Sequence, residues 1–132
     1  MLHVDHYVSR STIHGLGVFT REPIKAGSLV WRFDPMFDVE IPASLVMQFP
    51  EEDAMIVINH AEYLKHLGVF RLGNDGDIFM NHSECPSLLD LGDEMLAKHD
   101  LKAGTELTCD YTEVCVLGFD RSQLNSSKRF AK

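Results

Sequence analysis

The chain contains little cysteine and no long apolar run. Its cysteines, Cys85, Cys109 and Cys115, form no C-x-x-C pair, so the sequence predicts neither a disulfide framework nor a four-cysteine zinc site. No stretch approaches the roughly eighteen consecutive apolar residues of a membrane span. The opening residues MLHVDHYVSR also lack the basic and apolar regions of a signal peptide. We therefore expect a soluble cytoplasmic protein with reduced thiols.

Positive charge is also scarce. Twelve Lys and Arg against twenty Asp and Glu give a formal net charge of −8 over 132 residues. This charge would repel a phosphate backbone and attract a cationic peptide, so we expect no direct nucleic-acid partner and no membrane partner. An acidic excess that only keeps a small protein soluble explains the charge equally well. The length suits one domain, 1–132, and leaves monomer and homodimer open.

Turn residues divide the chain into short apolar runs, which predict a mostly β fold with a small α/β insert. Helical signal is confined to Leu45–Phe49 and Ala54–Ile58, so a central insert spans about residues 40–68. Leu67-Gly68 is predicted to turn one hairpin. A polar, basic tail begins at about residue 120. The predicted strands are Val4–Ser9, Val18–Thr20, Leu29–Phe33, Tyr63–Lys65, Val69–Leu72, Ser87–Leu91 and Glu94–His99.

One sequence pattern occurs twice. Ile24-Lys25-Ala26-Gly27 resembles Leu101-Lys102-Ala103-Gly104, and each leads through a tight glycine turn toward an apolar run. The separation of 77 positions is too long for the period of a solenoid repeat.

The first polar motif is His14-Gly15-Leu16-Gly17-Val18-Phe19, in which two glycines precede a strand. Glycines at such a place allow a ligand to approach the backbone closely. The motif is not a dinucleotide-binding fingerprint, because Thr20 stands where the third glycine is required and no helix follows. Taken alone, it is typical of a plain turn.

Two further motifs follow. Asn81-His82-Ser83 is a polar island inside an apolar run that Pro86 closes, and it suits either a binding loop or a capped turn with a core histidine. Glu106-Leu107-Thr108-Cys109-Asp110-Tyr111 ends in a tyrosine beside an acid. That tyrosine could act as a hydrogen-bond acceptor or proton relay, or simply pack at the surface of the core.

In this order, the three motifs resemble those of the SET-domain methyltransferases, whose chains run from G-x-G-V-F through N-H-S to E-L-T-x-D-Y. The resemblance covers about residues 10–120 and is greatest to minimal, free-standing SET proteins of bacteria and large viruses. It implies a β-clip of short curved sheets with a C-terminal pseudoknot, in which the segments Asn81–Ser83 and Glu106–Tyr111 thread past each other. The repeated Lys-Ala-Gly turns also match turns of the family.

The resemblance implies S-adenosyl-L-methionine as the cofactor, with no metal. It assigns catalysis to Tyr111, which would face the transferring methyl group, and a lysine channel to Cys109 and to Tyr63 of the insert. Phe119 is our candidate for closing the cofactor pocket, and an ordinary core role for it is equally open. The cofactor-binding residues so implied are Gly15, Leu16, Gly17, Phe79, Asn81 and the His82 backbone, and Phe119 joins them as our own candidate.

The activity implied is methyl transfer to the side-chain amine of lysine in a basic protein substrate. The sequence departs from the family pattern at Ser87, where asparagine is usual, at Asp77-Ile78, where arginine often precedes the phenylalanine, and at Cys85, which lies one place late. A C-x-C zinc cluster is also absent. Ser87 and the missing arginine motivate one alternative, a catalytically weak SET-like module that binds cofactor or a basic peptide. The short central insert, which leaves little surface for reading a long peptide, motivates another, a methyltransferase for a small amine.

Overall fold

The computed structural model describes residues 1–111 of the chain. Within that range two α-helices, α1 (Ala43–Val46) and α2 (Glu51–His60), and a 3₁₀-helix at Gly76–Phe79 interrupt a series of short strands. Neither α-helix is long and apolar enough to cross a membrane. The strands are β1 (His6–Arg10), β2 (Leu16–Thr20), β3 (Leu29–Arg32), β4 (Val39–Pro42), β5 (Glu62–Leu64), β6 (Val69–Leu72), β7 (Asn81–His82), β8 (Leu88–Asp90), β9 (Glu94–Ala97) and β10 (Thr108–Cys109).

The strands form four small sheets, which confirms the predicted mostly β class with a small α/β insert. β1 pairs with β2 and β3-β9-β8 form a three-stranded sheet, both antiparallel. β4-β6-β5 form a second antiparallel sheet, in the insert. β7 and β10 run parallel to each other. Each predicted strand overlaps an observed one, and β6 matches its predicted bounds.

The larger core, which we call the main core, lies under the β3-β9-β8 sheet. Alternation along β9 explains it, because Met95 and Ala97 are each only 2% exposed while their neighbours along the strand are less buried. Residues from distant parts of the chain complete this core. They include Leu2, Val18, Ile24, Val30, Trp31, Met80, Leu88, Leu101, Leu107 and Cys109.

The insert has a core of its own, in which Val46 of α1 and Ala54 and Val57 of α2 pack on Phe70 of β6. Each helix begins directly after a proline, α1 after Pro42 and α2 after Pro50. Three acidic residues in the first turn of α2 favour its start by complementing the helix dipole. The turn at Leu67 and Gly68 joins β5 to β6, so the predicted hairpin is confirmed.

Arg71 of β6 links the insert to the main core. Its guanidinium is buried and donates to Glu40 on the neighbouring strand, at 3.1 Å, and to Asp93 in the β8–β9 turn, at 2.9 Å. It also donates to the Gly92 carbonyl and lies 4.2 Å from the centre of the Phe33 ring. The positive charge of Arg71 therefore pairs with one acidic residue of the insert and with one outside it.

The two Lys-Ala-Gly turns face each other. The N–H of Ile24 donates to the Leu101 carbonyl at 2.9 Å, and the N–H of Leu101 donates back at 2.7 Å. Gly27 and Gly104 end the turns with φ of +81° and +84°, a conformation that glycine adopts without strain. The repeated pattern thus encodes two like turns that close one antiparallel bridge.

Candidate active site

Two of the three motifs meet at the parallel pair of β7 and β10. Asn81 lies opposite Thr108, and His82 lies opposite Cys109. Just past β7, the N–H of Ser83 donates to the Cys109 carbonyl at 3.0 Å. The segments predicted to pass each other therefore lie side by side, while the pseudoknot itself stays a prediction.

The glycine motif forms a closed turn, residues 11–17, which we call the glycine loop. The N–H of Ser11 donates to the Gly15 carbonyl at 2.9 Å, and the Ser11 hydroxyl accepts from the N–H of Ile13 at 2.9 Å. Gly15 has a φ of +48°, in the left-handed region that favours glycine. Gly15 and Leu16 are exposed to solvent, and Gly17 is buried.

Asn81 fastens the glycine loop from β7. Its Nδ2 lies 3.1 Å from each of three acceptors, the carbonyls of His14 and Leu16 and the carboxylate of Glu106. The side chain thus connects the first motif to the third.

Glu106 occupies the space beneath the loop. The Ser11 hydroxyl donates to its carboxylate at 2.7 Å, in addition to the bond from Asn81. A Cβ atom at Gly17 would lie 2.9 Å from this carboxyl group, so a larger residue there would have to displace the Glu106 side chain. We call Ser11, Asn81 and Glu106 the polar clamp.

Tyr111 is held at two points by residues of the second motif. Its hydroxyl donates to the Met80 carbonyl, and its backbone N–H donates to Nδ1 of His82 at 3.0 Å. The Tyr111 and His82 rings are 5.3 Å apart. The phenol oxygen is therefore fixed beside the start of β7.

Ser87, which departs from the family pattern, also binds the third motif. Its backbone N–H donates to the Thr108 hydroxyl at 3.0 Å, and its own hydroxyl donates to the Glu106 carbonyl at 2.9 Å. The same hydroxyl accepts from the Thr108 N–H at 2.9 Å. The serine thus fastens the segment that carries the Glu106 and Tyr111 side chains.

Two aspartates ahead of Asn81, Asp75 and Asp77, shift each other's pKa in opposite directions. Burial, together with a hydrogen bond to Asp75, raises the pKa of Asp77 to about 6. Burial alone would raise the pKa of Asp75, but hydrogen bonds from Asp77 and the Leu2 N–H lower it below its usual range. Asp77 also accepts from the Trp31 indole at 2.8 Å. Within residues 1–111, no three His, Cys, Asp or Glu side chains form a metal-binding group.

The remaining predicted site residues are dispersed. Phe79 is half-buried at the end of the 3₁₀-helix, and Cys109 is buried in the main core against which Tyr111 packs. Tyr63 packs instead in the insert core, its ring 5.0 Å from that of Phe70. Phe119 lies outside the described residues.

Neither Ser11 nor Glu106 was predicted to have a role. Glu106 was part of a recognised motif, but nothing in the sequence placed its carboxylate near residue 11. Ser11, three residues ahead of His14, carried one weak signal, since serine often bonds the backbone N–H two or three residues onward in a turn.

Comparison with known proteins agrees with this arrangement. The family model of the SET domain matches residues 15–112, most of the chain. No curated protein matches the sequence significantly.

Solved structures share the fold at low sequence identity. A candidate histone methyltransferase of Plasmodium falciparum has 19% identity and a TM-score of 0.55, and the match covers 83% of this chain and 95% of that one. A chain of Chaetomium thermophilum Polycomb Repressive Complex 2, autoinhibited and bound to S-adenosylmethionine, has 15% identity and a TM-score of 0.66, over 95% of this chain. A humanized mutant of that complex, bound to an inhibitor, has 17% identity and a TM-score of 0.64, over 93% of this chain.

The match spans only 17% and 16% of those two fungal chains, so it concerns one domain of much larger proteins. The motifs, the paired segments β7 and β10 and the family model lead to one assignment: the chain belongs to the SET-domain family.

Proposed function

We propose that this protein is an S-adenosylmethionine-dependent methyltransferase that modifies the side-chain amine of lysine in a protein substrate. The SET-domain family comprises methyltransferases that use this cofactor. The observation that carries the proposal is the parallel pairing of β7 with β10, because it assembles the glycine loop, Asn81 and Tyr111 around one point.

The residues present fit the cofactor. A Cβ atom added at Gly15 would meet nothing within 4 Å, so the exposed backbone there borders open space. Asn81 uses its Nδ2 to hold the loop, while its Oδ1 accepts no hydrogen bond from residues 1–111. That oxygen and the loop carbonyls suit the ammonium group of a bound amino acid. Gly15, Leu16, Gly17, Asn81 and the His82 backbone would hold the cofactor, and Phe79 would line it.

When bound, S-adenosylmethionine supplies a methyl group already activated on a sulfonium, so the protein mainly has to position the acceptor amine. The Tyr111 hydroxyl donates its proton to the Met80 carbonyl, so its oxygen can act toward the amine only as an acceptor, through its lone pairs. Those lone pairs can orient the amine and accept weak C–H···O contacts.

The lysine amine must be neutral to react, whereas its ordinary pKa is about 10.4. Apolar surroundings disfavour the ammonium form, and Cys109 and Met80 belong to the apolar core beside Tyr111. The net charge of −8 supports a basic substrate. We further propose that residues 1–132 form one domain, acting in the cytoplasm.

Cofactor binding is tested by calorimetric titration with S-adenosylhomocysteine. We expect saturable binding that Asn81→Ala weakens by about 1–3 kcal/mol, since the loop loses its anchor. Asn59→Ala, at the exposed end of α2, is the matched control. A flat titration of folded wild-type protein would refute the proposal.

The substrate class is tested by incubating a proteome with isotopically labelled cofactor, followed by mass spectrometry. Labelled lysines support the proposal. A labelled small amine, or no transfer despite cofactor binding, would instead favour one of the two alternatives raised by the sequence.

Product multiplicity should depend on Cys109, the residue two places before Tyr111. Tyrosine or phenylalanine is common at this position in related enzymes, and cysteine is smaller and a weak hydrogen-bond partner. We therefore expect di- or trimethyl-lysine from reactions run to completion. Monomethyl-lysine alone, seen by mass spectrometry, would mean that another side chain fills the channel.

A further inference from the structure

Glu106 brings a negative charge into the candidate active site. The Ser11 hydroxyl lies 2.7 and 3.0 Å from its two carboxyl oxygens, and the Asn81 amide donates to it at 3.1 Å. The Ser11 oxygen itself accepts from the N–H of Ile13, so the hydroxyl proton is left for Glu106. All of these bonds are donated to the carboxyl group, as an ionised carboxylate requires.

No cation neutralises this charge within the described part of the chain. Among residues 1–111, the amino terminus and every Lys, Arg and His nitrogen lie farther than 4.0 Å from the Glu106 carboxylate. Its partners Ser11 and Asn81 are neutral, so they orient the carboxylate and leave its charge uncompensated. Glu106 is half-buried, and salt screens such a charge less than one in open solvent.

The charge lies against two residues that we assign to the cofactor. The carboxylate bonds to Asn81, and a Cβ atom at Gly17 would lie 2.9 Å from its Cδ atom. Because Gly17 has no side chain, the carboxylate can lie directly beside the backbone of the glycine loop. Coulomb attraction falls only with the first power of distance, so a charge that touches the site also acts on a cation bound there.

We propose that Glu106 is a specificity residue of the cofactor site: its charge makes the site bind S-adenosylmethionine more tightly than S-adenosylhomocysteine. This inference rests on the proposed function, because it takes the glycine loop and Asn81 as the cofactor site. The two ligands share their adenosine, carboxylate and ammonium groups. They differ in the methyl group on sulfur, which gives S-adenosylmethionine one more positive charge, and a fixed carboxylate favours that form.

The same difference in charge favours release of the spent cofactor. When the methyl group passes to the lysine amine, the amine lone pair forms the new N–C bond, and the electron pair of the S–C bond stays on sulfur. The sulfonium becomes a neutral thioether, and the methylated amine loses its proton to solvent. The attraction between Glu106 and the sulfur therefore ends with the transfer, so S-adenosylhomocysteine is held less tightly than the cofactor that replaces it.

Calorimetric titration of the full chain with each ligand tests the inference without turnover. The quantity compared is the affinity ratio, the Kd for S-adenosylhomocysteine divided by that for S-adenosylmethionine, which should exceed one in the wild type. Glu106→Gln keeps the size of the side chain and an acceptor oxygen for Ser11, but removes the charge. We expect it to weaken S-adenosylmethionine binding about tenfold and S-adenosylhomocysteine binding about threefold, which lowers the affinity ratio about threefold.

Three further variants separate the charge from the shape of the site. Ser11→Ala deletes a hydrogen bond to Glu106 but keeps the charge, so both affinities should fall by the same factor and the affinity ratio should stay constant. Glu106→Asp keeps the charge on a shorter side chain and should also keep the ratio, even where both affinities fall. Glu22→Gln removes a charge from an exposed position just after β2 and should change neither affinity.

An affinity ratio of one or less in the wild type would overturn the proposal, and so would an unchanged ratio in Glu106→Gln. A fall of the ratio in Ser11→Ala, Glu106→Asp or Glu22→Gln would overturn it as well, because each of these variants keeps the charge at position 106. In all these outcomes the wild type still binds both ligands, so the proposed function stands. A wild type that binds neither ligand would refute the proposed function and this inference together.

Discussion

The main core and the insert are stabilised in different ways. The insert packs two consecutive helices on a neighbouring strand, and its buried residues all lie between Val46 and Phe70. The main core joins residues as distant as Leu2 and Cys109, and the polar clamp beside it connects Ser11 to Glu106. Local apolar contacts hold the first region, and long-range contacts hold the second. The difference implies that one substitution can change the stability of the fold without changing activity, and that another can do the reverse.

The largest expected effect on the free energy of unfolding comes from Arg71, which joins the two regions. Arg71→Ala would leave Glu40 and Asp93 without their partner and expose part of Phe33, so unfolding free energy should fall by about 3 kcal/mol. Urea denaturation measures this loss. Separate transitions for the two regions would show that Arg71 also couples them.

Arg32→Ala is the matched control, because Arg32 also lies on a strand and pairs with an acid, Glu94, at 3.0 Å. Both of those side chains are largely exposed, so we expect a loss of at most about 1 kcal/mol. Equal losses in the two variants would contradict a special role for the buried arginine.

A second test at the junction uses pH. Burial, and then the nearby Asp90, raise the pKa of Glu62 to about 7 from an ordinary value of 4.5. The folded protein thus holds this proton more tightly than the unfolded chain does. The resulting stability is fully present below pH 4.5 and is lost as the pH rises through about 7.

Glu62→Gln should remove this dependence, since glutamine stays neutral. At pH 8 the variant should be more stable than wild type by roughly 2 kcal/mol, and at pH 4 the two should agree. Urea denaturation at both pH values makes the comparison. A constant difference between the proteins at all pH values would contradict the raised pKa.

In the candidate active site, Tyr111→Phe should lower turnover at least about tenfold. That fall corresponds to a loss of roughly 1.4 kcal/mol of transition-state stabilisation. The ring packing stays, so cofactor affinity and fold should be retained. Steady-state kinetics and titration with S-adenosylhomocysteine separate the two quantities. Unchanged turnover would remove Tyr111 from the mechanism.

The smallest expected effect is at Ser11. Ser11→Ala deletes the hydroxyl that donates to Glu106, which should weaken S-adenosylhomocysteine binding about fivefold, or about 1 kcal/mol. The melting temperature without ligand should change little. Ser9→Ala, on the exposed face of β1, is the control. A large loss of stability in Ser11→Ala would show that the clamp supports the fold rather than the loop.

The sequence was most informative where the signal is local. β6 and its turn at Leu67-Gly68 follow from apolar runs and a glycine, and α2 follows from its proline and acidic start. The two-residue strands β7 and β10 were not predicted, because their partners are 27 positions apart and each is too short to show a period. β4 was missed because it has only four residues and ends at Pro42.

The candidate site was predicted as a set of motifs but not as a set of bonds. Asn81, Gly17 and Tyr111 were identified by family resemblance. The contacts of Asn81 with Glu106 and of Tyr111 with Met80 depend on the tertiary fold, and no spacing in the sequence encodes them. Arg71 was missed for the same reason, since its partners come from two other strands and a turn.

The bond between Ser11 and Glu106 spans 95 positions, and the bridge between Ile24 and Leu101 spans nearly as many. Closing such loops costs entropy before any contact compensates for it, and proteins dominated by distant pairings fold slowly. The insert can assemble from neighbours along the chain as soon as it is synthesised. The glycine loop cannot be clamped until residue 106 has been made. We therefore expect the insert to fold first and the contacts between the two ends of the described chain to form last. The appearance of cofactor binding would then mark the last stage of folding.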